Sequence, residues 1–317
     1  MAMKQCLFCG QKVFVQRYCG IPDRLGMSKK LHAILECAFC HSFQVEPIPS
    51  AEEMARLYPP AYAFKETTGG PGRRFWNRIE WQIFYAPVLR ACVNLVRRHT
   101  GVEQGKILDI GCGSGLRLKE FSRAGFQTEG VDFSKEDVDY AREKLGLAVT
   151  RVNIEEENLP EGNYELVMAY WVMEHLREPA LLTRKIYAAL KSGGWAVCGV
   201  PLSDSLVSRV FRGRWSAVRE APRHLGIPSR KGMRELLKQA GFQKVFWKPV
   251  SLFELAGDVA LSLWPRGNFV LTQNKPGWVG VGDRLMTGFL TLLGLPLVGL
   301  ITILKFPPGL TVFFAQK

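Results

Sequence analysis

The sequence lacks several features that would identify a class of protein at once. Its first residues, Met1 to Cys6, contain no apolar run of the kind that a secretory signal needs. It has no internal repeat and no low-complexity tract, and 22% of its residues are charged while 47% are hydrophobic. These values exclude a disordered tail protein, a collagen and a coiled coil. We expect a globular protein of one large or two smaller domains, located in the cytoplasm.

Acidic residues are scarce in one part of the chain and abundant in another. The net charge of the 317 residues is +13. Residues 209–248 contain 11 Lys and Arg but only 2 Asp and Glu, whereas residues 101–200 contain 12 basic and 16 acidic residues. A local excess of basic residues indicates a phosphate-bearing partner, either nucleic acid or anionic lipid. The acidic block argues against a protein that coats nucleic acid along its whole surface.

Four of the eight cysteines form two tight pairs near the N-terminus. Cys6, Cys9, Cys37 and Cys40 have the spacing Cys-x2-Cys-x27-Cys-x2-Cys. Two such knuckles supply four thiolates in tetrahedral geometry, which is typical of structural zinc. Residues 1–48 are therefore predicted to form a zinc ribbon in a reducing compartment. An iron site of similar geometry is the alternative, and Cys19 and His41 are possible substitute ligands.

The middle of the chain alternates short apolar runs with helical patterns. After a helical linker or lid segment over residues 49–100, residues 101–250 contain six candidate strands separated by candidate helices. Strands that alternate with helices at this spacing form a parallel, doubly wound sheet. Residues 306–317 add a last strand, so we predict a Rossmann-like seven-stranded α/β fold.

A glycine-rich loop follows the first strand of this region. The segment from Ile107 to Gly115 reads Ile-Leu-Asp-Ile-Gly-Cys-Gly-Ser-Gly, and an acid, Asp132, ends the next strand. The glycines allow a tight turn and a close approach of a ligand to the backbone, and the acid can accept hydrogen bonds from ribose hydroxyls. Leu116 stands where a dinucleotide fingerprint has its third glycine, and no Lys-Ser/Thr follows, so a pyrophosphate cradle is disfavoured. The alternative is an ordinary strand–helix turn.

Together these segments resemble the class I S-adenosylmethionine-dependent methyltransferases. Leu108–Gly115 is similar to the first motif of that family, and Gly130-Val-Asp-Phe-Ser is similar to its second. Asn153-Ile154 resembles the loop that holds adenine, although Asp is commoner than Asn there. The segment Glu165–Leu176 resembles the fourth strand and the loop after it. The resemblance, which runs from about residue 105 to residue 242, implies methyl transfer from S-adenosylmethionine.

The resemblance also implies which residues bind the cofactor. The acid of the first motif supports the loop and faces the methionine amino group, the acid of the second motif holds the ribose, and Phe133 and Ile154 sandwich the adenine. The complete cofactor-binding set that we predict is Asp109, Gly111, Cys112, Gly113, Gly115, Asp132, Phe133, Asn153, Ile154 and Tyr170.

Two histidines are candidates for proton transfer. His175 follows the fourth strand of the predicted sheet, at the edge where ligands bind in such folds. An imidazole titrates near neutral pH and can take a proton from an acceptor hydroxyl or amine; the alternative is that His175 only shapes the cofactor pocket. His224 is predicted to cluster with Trp215, Arg219 and Arg223 in a lid that holds an anionic group. The alternative for this cluster is a solvated basic face.

The C-terminal region, residues 251–305, is predicted to be an apolar helical insert. Leu285 to Leu304 are twenty residues without a charge, about the length of a membrane span. The chain must return to the sheet, so we expect a helical hairpin bent near Pro296 that lies in one leaflet. Trp264 and Trp278 are then expected at the interface, with Arg266, Lys275 and Arg284 facing headgroups. The alternative is a pair of helices packed on the sheet or buried in a dimer.

From these observations we predict a methyltransferase that acts on a small-molecule, glycan or lipid-linked acceptor. The protein is expected in the cytoplasm, peripheral or monotopic on the inner face of an anionic membrane that residues 251–305 contact. Nucleic acid is not expected as a partner. Two alternatives stay open: an RNA methyltransferase whose ribbon and basic segment grip phosphate, and a scaffold that binds the cofactor without catalysis. The sequence leaves open the acceptor atom (O, N or C) and the oligomeric state.

Overall fold

The chain contains a seven-stranded sheet and a smaller four-stranded sheet. The structure, a computed structural model, describes residues 5–58, 78, 81–273 and 277–317. Residues 59–77 and 79–80 of the predicted linker or lid segment, and the predicted interfacial Lys275, lie outside the described residues. The strands of the larger sheet are β4 (Lys106–Ile110), β5 (Gln127–Asp132), β6 (Ala148–Arg151), β7 (Tyr164–Tyr170), β8 (Leu190–Pro201), β10 (Lys244–Pro249) and β11 (Leu310–Gln316). The smaller sheet contains β1 (Phe14–Pro22), β2 (Leu31–Cys37), β3 (Phe43–Glu46) and β9 (Gly226–Ile227).

The larger sheet confirms the predicted Rossmann-like fold. Its strand order is β10-β11-β8-β7-β4-β5-β6. Strands β4 to β8 run parallel, and their apolar side chains are buried on both faces, as in β7, where Leu166, Val167 and Met168 have no exposed surface. Strand β11 is antiparallel to both neighbours, so the end of the chain lies inside the sheet.

The helices connect these strands and begin at polar caps. Ser134, Ser229 and Ser251 each accept a hydrogen bond from a backbone N–H of the first turn that they precede. The helices are α1 (Ala51–Leu57), α2 (Ala86–Thr100), α3 (Leu116–Arg123), α4 (Lys135–Leu145), α5 (Pro179–Ala189), α6 (Leu206–Phe211), α7 (Arg230–Gln239), α8 (Leu252–Leu263), α9 (Phe269–Gln273) and α10 (Gly277–Ile303). Short helical turns occur at Trp81–Tyr85, Met173–His175, Arg212–Arg214, Val218–Glu220 and Pro265–Gly267.

The small sheet joins the N-terminal segment to the body of the protein. Strand β9, which comes from the long connection after β8, pairs with β3 through Phe43 and Ile227. The second cysteine knuckle also contacts the start of α7, because the Ser229 hydroxyl donates to the carbonyl of Cys40 and the Ser229 N–H donates to Ser42 Oγ at 3.0 Å. The cysteine-bearing segment therefore contributes to the same structure as the predicted methyltransferase core.

The apolar insert is a hairpin, but its bend is not where the sequence predicted it. Helix α10 continues through Pro296 to Ile303, so the expected bend near Pro296 is wrong. The turn lies earlier, between α8 and α10. The Trp264 indole N–H donates to Asp283 Oδ1 at 3.1 Å near the tip, and Gly294 approaches Ala256 closely enough that a Cβ there would lie 3.6 Å away. Long antiparallel packing against α8 keeps the peptide that precedes the proline helical.

Helix α10 exposes large apolar side chains that a helix of a globular protein would normally bury. Gly294 faces Ala256 of α8, and Thr291 and Val298 are buried, whereas large apolar side chains face outward. Among the described residues one helix, Val279–Ile303, is long and apolar enough to cross a membrane, and 17% of its most apolar window is buried. A helix in water normally buries its large apolar stripe. The outward stripe consists of Leu285, Met286, Phe289, Leu292, Leu293, Leu297, Leu300 and Ile303.

A buried ion network holds the connection after β8 against the N-terminal segment. The Arg223 guanidinium donates to Asp23 at 2.8 Å and to Glu220 at 3.1 Å, and Glu220 also pairs with Arg24. Arg223 and Asp23 have no exposed side-chain surface, and Arg223 also donates to the Leu57 carbonyl at 3.3 Å.

The predicted anion-binding lid is therefore wrong for two of its members. Arg223 is a buried structural residue whose charge is already neutralised by two carboxylates. Trp215 is fully buried, with its indole N–H donating to both carboxylate oxygens of Asp258 at 3.0 and 3.1 Å. The basic pattern of the sequence could not distinguish a paired, buried arginine from an exposed one.

Removal of the Arg223 charge should destabilise the protein strongly. Arg223→Met leaves Asp23 buried without its cation, so we expect the free energy of unfolding to fall by about 3–5 kcal/mol. Urea denaturation monitored by circular dichroism measures this loss. The double variant Arg223→Met, Asp23→Asn should recover part of it, because no unpaired charge remains buried. Equal stability of Arg223→Met and the unaltered protein would contradict a structural role for this pair.

Candidate active site at the carboxyl edge of the sheet

The predicted site residues come together where the parallel strands end. Asp109 lies near the end of β4, Asp132 ends β5 and Tyr170 ends β7. His175 follows on the short turn Met173–His175. Because β4, β5 and β7 are neighbours in the sheet, their carboxyl ends meet at one edge, where ligands bind in doubly wound folds.

The glycine-rich loop takes a conformation that favours glycine at three positions. Gly111, Gly113 and Gly115 have φ angles of 64°, 54° and 77°. A Cβ at Gly111 would lie 2.5 Å from Val172 Cγ2, and one at Gly115 would lie 2.9 Å from Leu147 Cδ1. Glycine is therefore required at position 111, where the loop packs closely against the turn after β7. It is also required at position 115, where the loop packs closely against the chain after α4.

Asp109 is a buried acid without a hydrogen-bond partner in the described part of the chain. Both of its carboxylate oxygens are unsatisfied, and the residue has no exposed surface. Burial raises its pKa to about 7 despite the nearby Arg117. A buried polar group without a partner is costly, and a cationic ligand group at the loop would satisfy it. The methionine ammonium of S-adenosylmethionine has the required charge and donors.

Asp132 holds the glycine loop through its backbone. Its carboxylate accepts from the Gly113 N–H at 2.8 Å and from the Ser134 N–H at 2.9 Å. Each oxygen keeps a further lone pair that can accept from a ribose hydroxyl. Burial nevertheless raises the pKa of Asp132. Phe133, the next residue, is 54% exposed, so one face of its ring is available to a flat ligand.

The remaining predicted cofactor residues differ in what their side chains can reach. Cys112 is buried with Sγ against Gly130, so its backbone rather than its thiol borders the loop. The Asn153 amide oxygen accepts from the Glu155 N–H at 3.3 Å and organises its own turn. Ile154 is half-buried beside it, and its carbonyl accepts from the Lys185 ammonium at 2.7 Å.

Tyr170 is buried beneath the loop. The Arg117 guanidinium lies 4.0 Å from the centroid of its ring, and the Tyr170 hydroxyl lies 3.1 Å from Cys92 Sγ. Gly199 makes room for the ring on the neighbouring strand, since a Cβ there would lie 2.5 Å from Tyr170 Cδ1. These contacts place Tyr170 in the floor of the site.

The two predicted catalytic histidines are neighbours. The ring centroids of His175 and His224 lie 4.7 Å apart. His175 Nδ1 lies 3.1 Å from the Arg223 carbonyl, and His224 Nδ1 lies 2.8 Å from the Ala217 carbonyl. Because a carbonyl only accepts, each Nδ1 carries the proton, and each Nε2 keeps a lone pair. Both rings can therefore accept a proton at Nε2.

Burial keeps both imidazoles neutral. It lowers the pKa of His175 to about 4 and lowers the pKa of His224 well below its ordinary value, with the positive charges nearby acting in the same direction. Glu174 is also buried, and burial raises its pKa to about 8. One ligand atom from each of Glu174, His175 and His224 lies within 4.8 Å of the other two. The trio thus combines proton acceptors with a carboxyl group and has donors that a divalent metal can use.

Tyr58 belongs to this site although no sequence pattern indicated it. Tyr58 follows α1, and its hydroxyl lies 3.0 Å from His175 Nδ1. Its ring also contacts Phe133 edge-on, with a centroid distance of 5.4 Å. A separation of 117 residues from His175 has no local pattern, so only the folded chain reveals the contact.

The four paired cysteines form a separate cluster. All four are buried, and Sγ is 3.6 Å from Sγ both for Cys6 with Cys40 and for Cys9 with Cys37. Sulfurs at the corners of a tetrahedron with metal–sulfur bonds of about 2.3 Å lie about 3.8 Å apart, so the donor set fits zinc. Gly10 and His41 occupy equivalent knuckle positions with φ angles of 74° and 64°. Cys19 is exposed, and the His41 ring bonds Glu36, so neither joins the described cluster.

The two histidines should resist protonation in the folded protein. Nuclear magnetic resonance of labelled imidazoles, assigned with His175→Gln and His224→Gln, should show no titration of either ring between pH 8 and about 5.5. In urea both should titrate near 6.5. Because the folded pKa values are lower, the unfolded chain takes up protons first as pH falls. The His175 contribution should therefore lower the free energy of unfolding by about 3 kcal/mol between pH 6.5 and 4. Midpoints near 6.5 in the folded state would contradict the buried, neutral pair.

Comparison with known proteins agrees with the geometry of this edge. A family model described as a methyltransferase domain matches residues 85–245, which is more than half of the chain. The crystal structure of the cyclase SpnF is similar in fold, with a TM-score of 0.50, 20% identity, and coverage of 72% of this chain and 80% of that one.

Sequence relatives carry the name ubiquinone biosynthesis O-methyltransferase. The protein of Methylococcus capsulatus is 24% identical over 238 residues, which cover 68% of this chain and 95% of that protein. The protein of Hydrogenovibrio crunogenus is 27% identical over 109 residues, so the match spans less than half of it, 45%, and 32% of this chain. The family model and the fold establish that this chain belongs to the class I S-adenosylmethionine-dependent methyltransferases.

Proposed function

We propose that this protein transfers a methyl group from S-adenosylmethionine to an oxygen of a lipid-linked acceptor at a membrane surface. The observation that carries the proposal is the outward apolar stripe of α10 on the same chain as the glycine loop and the histidine pair. The relatives are named as O-methyltransferases, which supports oxygen as the methylated atom.

The cofactor role is assigned to the residues around the glycine loop. Asp109 receives the methionine ammonium, Asp132 receives the ribose hydroxyls, and Phe133 with Ile154 covers the adenine. When bound, S-adenosylmethionine supplies a methyl group made electrophilic by a sulfonium. The unsatisfied oxygens of Asp109 support this assignment most directly, because no donor in the described chain makes a hydrogen bond to them.

Asp109→Asn should separate cofactor binding from stability. The amide keeps the shape of the side chain but loses the charge and one acceptor, so the affinity for S-adenosylmethionine should fall about tenfold or more. Stability should stay level or rise, since a buried, unpaired acid is removed. Isothermal titration calorimetry and urea unfolding measure the two effects. Asp204→Asn, a similar change at an acid that pairs with Arg230, serves as control. Unchanged affinity in Asp109→Asn would overturn the assignment.

The proton of the acceptor hydroxyl is assigned to His175. Its Nε2 is free of the bonds that hold Nδ1, and the lowered pKa keeps the ring neutral and able to accept at neutral pH. Tyr58 and the Arg223 carbonyl fix the orientation of the ring from the Nδ1 side. His224 packs edge-on against His175 and shields one side of its ring.

The cysteine cluster is assigned to structural zinc. The four buried sulfurs form a closed donor set with no position left for a substrate, which is typical of a structural rather than a catalytic site. Zinc there would hold the two knuckles, and through the contacts of β3 with β9 and of Cys40 with Ser229 it would also support the connection that carries His224.

The zinc assignment predicts one zinc ion per chain. Cys37→Ser with Cys40→Ser should lose the metal and lower the melting temperature by about 10 °C, because metal binding contributes directly to folding. Elemental analysis distinguishes zinc from iron, and differential scanning calorimetry gives the temperature. Cys19→Ser alters an exposed cysteine outside the cluster and should leave both values unchanged. A chain that holds no metal and melts like the cysteine variant would refute the assignment.

Membrane contact is assigned to one side of the hairpin formed by α8 and α10. Charged residues stand at both ends of the stripe: Arg266 and Arg284 near the hairpin tip, and Lys305 just after α10. An orientation with the tip inserted first would bury the charges of the tip in hydrocarbon. A helix that lies in the plane of one leaflet keeps both charged ends in the headgroup region. The protein is thereby proposed as a monotopic protein of the inner membrane face.

Polar substitutions on the stripe should release the protein from vesicles. Leu285→Ser, Phe289→Ser and Leu293→Ser together should reduce binding to phosphatidylglycerol–phosphatidylcholine vesicles about 100-fold or more, from the apolar area lost. Sedimentation with vesicles measures the effect. The matched control changes three apolar residues exposed on the cysteine-bearing segment, Val13→Ser, Val15→Ser and Leu31→Ser. Equal vesicle binding by the stripe variant and the control would sink the proposal.

A further inference from the structure

A cleft lined by arginines lies outside the proposed active site. It has a volume of about 670 Å³ and forms between the end of β1, Gly20–Pro22, and the segment from the end of α6 to Arg219. Four of the residues that line it are arginines, namely Arg209, Arg212, Arg214 and Arg219. This cleft, which we name the arginine cleft, accounts for four of the 11 basic residues between 209 and 248.

The four arginines lack acidic partners within the described ranges. Two arginines of the same basic segment are neutralised: Arg223 pairs with Asp23, and Arg230 pairs with Asp204. No carboxylate of residues 5–58, 81–273 or 277–317 forms an ion pair with Arg209, Arg212, Arg214 or Arg219. Four like charges around one cavity repel one another, and a multivalent anion would relieve that repulsion.

The backbone that carries these arginines is held by buried contacts. Arg212 has a φ angle of 51°, and its carbonyl accepts from the Trp215 N–H at 3.1 Å. Trp215 is itself fully buried and bonded to Asp258. Gly213 packs against Ile21 so closely that a Cβ would lie 3.3 Å from Ile21 Cδ1. The walls of the cleft are therefore set before a ligand arrives, which lowers the entropy cost of binding.

The cleft adjoins one end of the apolar stripe. The Leu206 N–H, at the start of α6, donates to the Pro307 carbonyl at 3.1 Å, so α6 lies beside the chain that leaves α10. Helix α6 carries Arg209 and the exposed Val210, and the chain after α10 carries the exposed Leu304 and Phe306 with Lys305 between them. With the stripe in a leaflet, the arginine cleft would lie at the depth of phosphate headgroups.

We propose that the arginine cleft is a binding site for a phosphate or diphosphate group. Guanidinium groups bind phosphate oxygens through paired N–H donors, and four of them match a diphosphate better than a single carboxylate. Two sources share this chemistry: the headgroup of an anionic membrane lipid and a soluble phosphate ester. Only the choice between them rests on the membrane contact proposed above; the phosphate site itself does not.

Inorganic pyrophosphate is the probe for the site. By isothermal titration calorimetry the full-length protein should bind it in a salt-sensitive manner, and Arg212→Gln with Arg214→Gln should weaken binding about tenfold or more. The charge-matched control is Arg234→Gln with Lys238→Gln, which removes two exposed positive charges from α7 and should leave binding unchanged. Absence of pyrophosphate binding, or an equal loss in both variants, would overturn the proposal. So would binding of single-stranded RNA that depends on these arginines while pyrophosphate does not bind.

Vesicle sedimentation then identifies the source of the phosphate. If the cleft takes lipid headgroups, Arg212→Gln with Arg214→Gln should lower binding to phosphatidylglycerol vesicles but leave binding to phosphatidylcholine vesicles unchanged. If the variant binds both kinds of vesicle as well as the unaltered protein does, while its affinity for pyrophosphate is still lost, the site is supported and its ligand is a soluble phosphate ester. Titration with S-adenosylmethionine tests the methyltransferase site independently. A negative result for the arginine cleft would therefore not count against the proposed methyltransferase function.

Discussion

The buried guanidinium of Arg223 is the contact on which the organisation of the site depends. It joins Asp23 of the cysteine-bearing segment, Glu220 of the connection after β8 and the carbonyl that ends α1, and all of these groups are withdrawn from water. Its own carbonyl lies against His175 Nδ1, and the next residue is His224. Tyr58, which follows the Leu57 carbonyl, lies against the same imidazole. In a low-dielectric interior such a network must be complete, because a missing partner leaves a charge without compensation. Arg223 therefore couples the cysteine cluster, α1 and both histidines into one arrangement.

The buried carboxylates of the protein differ in whether the described chain supplies their hydrogen-bond partners. Asp132 is satisfied by backbone N–H groups of the loop and the next helix, which fixes the loop. Asp109, one strand away, is equally buried and has no partner in the described chain. Asp258 is satisfied by Trp215, and Asp23 by Arg223. A buried carboxylate that lacks a hydrogen-bond donor in the described chain costs stability, and a bound cationic group would offset that cost at Asp109.

The C-terminal hairpin and the arginine cleft adjoin each other on one part of the molecule. Gly294 of α10 lies against Ala256 of α8, while the large apolar side chains on the outward side of α10 are exposed in the described part of the chain. Helix α6, which carries Arg209, contacts Pro307 and so places the arginine cleft near the end of that stripe. Apolar area supplies affinity for hydrocarbon, and the adjacent positive charge supplies affinity for phosphate. The positive charge is thus unevenly distributed: residues 209–248 contain 11 basic and 2 acidic residues, while residues 101–200 are net acidic.

The sequence by itself determined those features whose chemistry lies within a few residues. The cysteine pairs, the glycine turn, the acids that end β4 and β5, and the uncharged run of α10 were all readable, because each is a local spacing with a local physical cause. The alternation of strands and helices likewise predicted the parallel sheet, down to the inclusion of the last strand. Only the tertiary structure decided which arginines are buried in ion pairs and which are exposed. It also decided that His175 contacts His224 and Tyr58, and that α10 packs back on α8 instead of bending at Pro296. These outcomes depend on contacts between segments up to 200 residues apart, as for Arg223 with Asp23. The sequence does not distinguish an arginine buried against an acid from one that faces solvent, because the two differ only in their burial and in their distance from a carboxylate.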